Sequence, residues 1–115
     1  MDEIKWPDIL RIDQQALQLT IQCRIPGELV YFDGHFAESP VLPGIVQVHW
    51  AEAFGRKYLP LQGRFVRLEQ VKFQQVITPE VIVDLQLSYD TEKQKLSFSF
   101  DSEHGGHSSG RICFE

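Results

Sequence analysis

The chain has 115 residues and a mass of 13.3 kDa, enough for one ordinary domain that buries a core without staples. Hydrophobic residues make up 43% and charged residues 23%, which excludes an intrinsically disordered chain. A net charge of -5 argues against a general nucleic-acid binder, and no apolar run approaches the roughly 18 residues that span a bilayer. The start, Met1-Asp2-Glu3-Ile4-Lys5-Trp6, lacks the basic-then-apolar layout of a signal peptide, so a cytoplasmic location is expected.

No repeat, linker or low-complexity tract divides the chain, and residues 1–115 are expected to form a single domain. Leu17, Leu19, Ile21, Cys23 and Ile25 alternate with polar residues, the period of a half-buried strand. A loop rich in Pro and Gly follows, and then Ile45 to Phe54 runs without a breaker until Gly55. Pro43 suits the first turn of that helix, where its missing N–H has no intrahelical partner. Apolar residues lie on more than one helix face, so the helix is expected to be buried.

A strand fits 64–77, with an irregularity at Glu69-Gln70 that reads as a bulge. Val81, Val83, Leu85, Leu87 and Tyr89 alternate again, as do Leu96, Phe98 and Phe100. The polar stretch 90–95 between them makes the pair a hairpin. A fifth strand is expected near 108–114, after a turn at Gly105-Gly106. One helix and about five antiparallel strands form an α+β domain whose sheet wraps the helix. Cys23 and Cys113 belong to no CxxC pair and read as buried thiols. His104 and His107 bracket Gly105-Gly106 and read as a polar hairpin turn rather than a metal site.

The chemistry concentrates in residues 32–47, where His35, Pro40, Pro43 and Gly44 stand immediately ahead of the helix. The prolines stiffen the loop and hold His35 near the helix amino end, where free N–H groups favour negative charge. A base beside an oxyanion-binding helix terminus is what proton abstraction next to a carbonyl requires. From spacing alone, a structural or surface role for His35 competes with that one.

His35, Phe36, Pro40, Pro43 and Gly44 resemble the active-site motif of the FabZ/FabA-type 3-hydroxyacyl-(acyl-carrier-protein) dehydratases. The fuller string from Gly34 to Gln47 is similar to the short ApeI-like branch, linked to aryl polyene biosynthesis. Weaker similarity continues through Val71–Pro79 and ends at Ser109–Ile112. The resemblance implies a hotdog fold, a homodimer or dimer of dimers with shared sites, and no organic cofactor or metal. It places the catalytic base at His35 and the thioester-binding N–H at Gly44. Phe36, Pro43, Ile45, Trp50 and Glu52 are expected around the substrate, with Trp50 and Phe54 as tunnel walls or core.

One position departs from the family: its helix carboxylate falls on His49. Imidazole there would serve as the acid, orient substrate or water, or mark a site that has lost dehydration. Glu52 lies one turn further on, and Asp33 and Glu38 read as solvated loop acids. Arg56, Lys57, Arg64, Arg67 and Lys72 gather basic charge in the middle third, as solvated charge or as a docking patch for acyl carrier protein. The expected reaction is dehydration of a 3-hydroxyacyl thioester. The alternatives are a thioesterase using Glu52 and a non-catalytic acyl-binding subunit paired with an active partner.

Overall fold

The computed structural model describes residues 2–33 and 39–115. In chain order its elements are β1 (Asp8–Gln15), β2 (Gln18–Arg24), a 3-10 turn (Val30–Phe32), α1 (Gly44–Tyr58), β3 (Phe65–Phe73), β4 (Ile82–Asp90), β5 (Lys95–Ser102) and β6 (Gly105–Phe114). The strands form one antiparallel sheet in the order β1-β2-β4-β5-β6-β3, as the α+β reading expects.

The alternating positions face the core together because the register aligns them. Leu19 pairs with Leu87, Leu87 with Phe98, and Phe98 with Gly110. The three large side chains of that row are buried. At its end, a Cβ on Gly110 would stand 3.0 Å from both the Phe98 ring and Val71, so a larger residue there would have to push them aside. Both cysteines are free and buried, as expected.

Four element boundaries differ from the sequence reading. Strand β1 was not anticipated, because all eight of its residues are exposed and no buried face imposes a period of two. The last strand begins at Gly105 and its turn is Glu103-His104, so His107 is buried within β6 rather than exposed in a turn. Strand β3 stops at Phe73, although its register does shift between Glu69 and Lys72, with Gln70 at φ +51. Helix α1 runs through Gly55 to Tyr58, and Pro43 is its extended N-cap rather than a first-turn residue.

Gly55 lies inside the helix where α1 packs tightly on the sheet: a Cβ would stand 2.7 Å from Leu96 on β5. Only one side of α1 is covered. Val46, Val48, Trp50, Ala51 and Phe54 are buried, while Ile45 and His49 are exposed, which corrects the expectation of burial all round. Gly55→Ala would gain about 1 kcal/mol of helix propensity but overpack against Leu96 by about 1–3 kcal/mol. The thermal midpoint of this variant is expected to fall by a few degrees and to recover when Leu96→Val is added.

Glu69 of edge strand β3 reaches past β6 to β5: its carboxylate accepts from Lys95 of β5 at 2.9 Å and, within β3, from Arg67 Nη2 at 3.0 Å. The Lys95 ammonium and then the Arg67 guanidinium hold the Glu69 carboxyl down at about 2, below its ordinary 4.5. A carboxyl depressed by folding stabilises above its unfolded pKa and loses that contribution as pH falls toward the folded one. Urea midpoints of Glu69→Gln are therefore expected below the parent at pH 7, with the gap closing between pH 4.5 and 2.

Candidate active site

Helix α1 presents Ile45, Val48, His49 and Glu52 at positions i, i+3, i+4 and i+7, which places them along one face. Together with Gly44 and with Phe65, Leu68 and Phe73 of β3, they line a groove of about 480 Å³. All but His49 and Glu52 offer it apolar surface. Gly44 is the first residue of α1, so its N–H has no intrahelical acceptor. A Cβ there would stand 2.6 Å from the Phe73 ring, so glycine is what lets Phe73 close over the helix start.

Below Gly44 the helix is tied down. Gln47 is buried at α1's first turn; its amide donates to Leu42 O at 3.2 Å and its carbonyl accepts from Ser108 Oγ of β6 at 2.6 Å. Leu42 N–H donates to Ile77 O at 2.8 Å. His107 Nδ1 lies 3.1 Å from Val76 O, and its Nε2 lies 2.6 Å from Ser102 Oγ. His107 is thus a buried structural residue joining the segment after β3 to the end of β5.

His49 is exposed at the groove, with its ring centroid 5.4 Å from that of Trp6. Trp6 is held across α1 by its neighbour, since the Trp50 indole N–H donates to Lys5 O at 3.1 Å. Trp50 itself is fully buried and belongs to the core, and neither it nor Pro43 lines the groove. Phe54 instead lines a second depression of about 400 Å³ with Trp6, Pro7 and Ile9. Glu52 is half-buried and ion-paired to Arg56 Nε at 2.9 Å. His35, Phe36 and Glu38 lie outside the described residues; Asp33 is exposed just after the 3-10 turn.

Of the basic residues, Arg56 stacks over Phe114 while holding Glu52, and Arg67 holds Glu69. Lys57 lies over the Tyr58 ring, and Arg64 is exposed, with its backbone paired to Glu115. No group of three metal-ligating side chains occurs among the described residues. A depression of about 500 Å³ on the sheet is lined by Glu80, Asp84 and Glu103, a poor lining for an acyl chain. No helix is long and apolar enough to cross a membrane among the described residues.

Sequence reasoning missed the groove's far wall. Phe65 and Leu68 carry no motif, and only the similarity around Lys72-Phe73 touched it. Gln47 and Ser108 were also missed, because a buried amide–hydroxyl pair 61 residues apart leaves no local pattern.

The fold has close counterparts. One chain of the dehydratase heterocomplex ApeI:P from Xenorhabdus doucetiae superposes with a TM-score of 0.88 at 30% identity, covering 94% of this chain and 96% of that one. The 3-hydroxyacyl-(acyl-carrier-protein) dehydratase FabZ of Erythrobacter litoralis is 32% identical over 79 residues, covering 61% of this chain and 52% of that one. The FabZ of Chlamydia abortus is 27% identical over 117 residues, covering 91% and 68% respectively. The chain thus spans about half the length of the first of these curated relatives and about two-thirds of the second.

One long helix held by a six-stranded antiparallel sheet, with a groove along the helix's open face, defines a hotdog domain of the dehydratase type. Residues 11–111 match the ApeI-like family model, described as ApeI dehydratase, and the chain belongs to that family.

Gly44→Ala tests the groove wall. Phe73 is 55% exposed and free to swing, so folding should survive while the ring leaves its place over the helix start. The thermal midpoint is expected to change by no more than a few degrees and to return to the parent value with Phe73→Leu.

Proposed function

We propose that the protein dehydrates a 3-hydroxyacyl thioester, presented on acyl carrier protein, to the trans-2-enoyl thioester and water, in fatty-acid-like or aryl polyene biosynthesis. The observation that carries this reading is the apolar groove with the start of α1 at one end and His49 on its wall. An acyl chain suits that lining, and a thioester carbonyl suits the unpaired N–H groups of a helix start.

In the proposed reaction, His35 removes the α-proton and the Gly44 N–H receives the enolate-like oxygen. His49 in its protonated form then gives its proton to the departing β-hydroxyl, which leaves as water. The role of His35 rests on the motif resemblance. Imidazole suits the acid's role because its protonated ring is an N–H donor that can hand a proton to a leaving oxygen.

The groove is open to solvent, and its exposed apolar residues are Ile45, Phe65, Leu68 and Phe73. That concentration supports assembly with a second hotdog chain over α1 and β3, as a homodimer or dimer of dimers. Carrier docking is assigned to Arg56, Lys57, Arg64 and Arg67. Arg56 and Arg67 are engaged by Glu52 and Glu69, so Lys57 and Arg64 carry most of that reading.

A second reading has its own support. His49 stands where the family's carboxylate is expected, and the Xenorhabdus relative is a heterocomplex. This chain would then bind acyl groups beside a different, active hotdog subunit. Thioesterase chemistry at Glu52 is disfavoured by its ion pair with Arg56.

Mass spectrometry of a 3-hydroxyacyl carrier protein incubated with the protein separates the three: loss of water, no change, or release of free acid. Loss of water is expected. His35→Ala should lower turnover about 10²–10⁴-fold, His49→Ala should also lose it, and His49→Glu should retain substantial dehydration. A His49→Ala protein at the parental rate would reduce His49 to a wall residue.

A further inference from the structure

We infer that Gln47 is a positioning residue that fixes the backbone of Leu42–Gly44, and so the direction of the Gly44 N–H, against the sheet. The inference rests on the dehydratase reading for its consequence in catalysis, but its geometry stands apart from it.

Gln47 is 3% exposed, and Ser108, its partner on β6, is equally buried. Both ends of the Gln47 carboxamide are engaged, the amide by Leu42 O and the carbonyl by Ser108 Oγ. One side chain therefore ties three pieces of backbone together: the segment entering α1, the first turn of α1, and strand β6. The entering segment is held a second time by Leu42 N–H on Ile77 O, and the segment around Ile77 is held in turn by His107 through Val76 O. Leu42 is thus bonded through both its N–H and its carbonyl, two residues before the donor that faces the substrate.

A helix core asks for an apolar side chain at such a position; methionine would fill it without leaving polar groups to satisfy. A buried carboxamide hydrogen bond contributes little net stability because it replaces bonds to water, so stability alone is a weak reason for it. Direction is a stronger one. An oxyanion donor works only when aimed at the place where charge develops, and small misplacements of reacting groups cost one to two powers of ten in rate.

The test compares the parent with Gln47→Met, Ser108→Ala and the double variant. In ¹⁵N-labelled protein, the Gly44 and Ile45 amide signals of Gln47→Met are expected to shift or broaden while signals from β4 and β5 stay in place. In steady-state assays with a 3-hydroxyacyl thioester, kcat is expected to fall about 10- to 100-fold with KM changed by less than about two-fold. The double variant removes the stranded hydroxyl, so its thermal midpoint should recover relative to Gln47→Met while kcat stays low.

Unaltered Gly44 and Ile45 amides in Gln47→Met would overturn the inference, whether or not the parent dehydrates anything. Recovery of kcat together with stability in the double variant would also overturn it, leaving Gln47 a packing residue. A parent that fails to dehydrate would sink the functional reading alone, since the amide signals still judge Gln47. Should Gln47→Met not fold, Ser108→Ala, which removes a single hydroxyl, supplies the same comparison.

Discussion

The close approach of α1 to β5 is the contact from which the rest of the molecule follows. At Gly55 the helix comes so near Leu96 that a Cβ, 2.7 Å from a leucine methyl, would have to displace that side chain. That approach commits one long side of the helix to the sheet and leaves the opposite side uncovered. Helical geometry then sorts the residues: Val46, Trp50, Ala51 and Phe54 go inward, and Ile45, His49, Glu52 and Arg56 form an outward stripe. The groove is the space between that stripe and β3, the edge strand next to it in the fold.

A sheet with two edges has to protect both. Both edge strands carry register shifts, between Ile9 and Arg11 in β1 and at two places in β3. Charge does the rest: Arg24 of β2 binds Asp8 and Glu80, Arg11 pairs with Asp13, and Glu69 gathers Lys95 and Arg67. Bulges and charges are the usual means of making an edge unattractive to stray strands. Apolar residues remain uncovered all the same, with Ile45 79% and Val76 60% exposed. Ile45 lines the groove together with the exposed Phe65, Leu68 and Phe73 of β3, so part of the uncovered apolar surface belongs to it.

The start of α1 shows how polar groups serve an apolar fold. Pro43 sets the entry in extended conformation, Gly44 admits the Phe73 ring, and Gln47 spends both ends of its side chain on Leu42 and Ser108. A helix amino end buried without partners would be costly. Here the neighbouring polar groups are satisfied from the sheet, and the helix's first N–H is left beside the groove.

How much of this was legible in the sequence follows from what each feature needed to reveal itself. Strands β2, β4 and β5 were readable because each has one face in the core, and burial on one face imposes a period of two. Strand β1 was invisible for the same reason reversed: it has no buried face. The motif from His35 to Gly44 was readable as a stiff loop before a helix, and it carried the family resemblance that the comparisons uphold. The roles of His35 and Phe36 stay with that resemblance, since both lie outside the described residues. Gly55 looked like a helix end because glycine usually is one, and only the distance to Leu96 gives it another purpose. Trp50 looked equally fit for core or tunnel, and only the bond from its indole to Lys5 O puts it in the core. Local pattern thus determined the strands that feel the core on one side and the helix. The groove, its Phe65–Leu68–Phe73 wall, and the Gln47–Ser108 tie were decided by tertiary structure alone, because each joins residues whose proximity exists only after the sheet has curved around the helix.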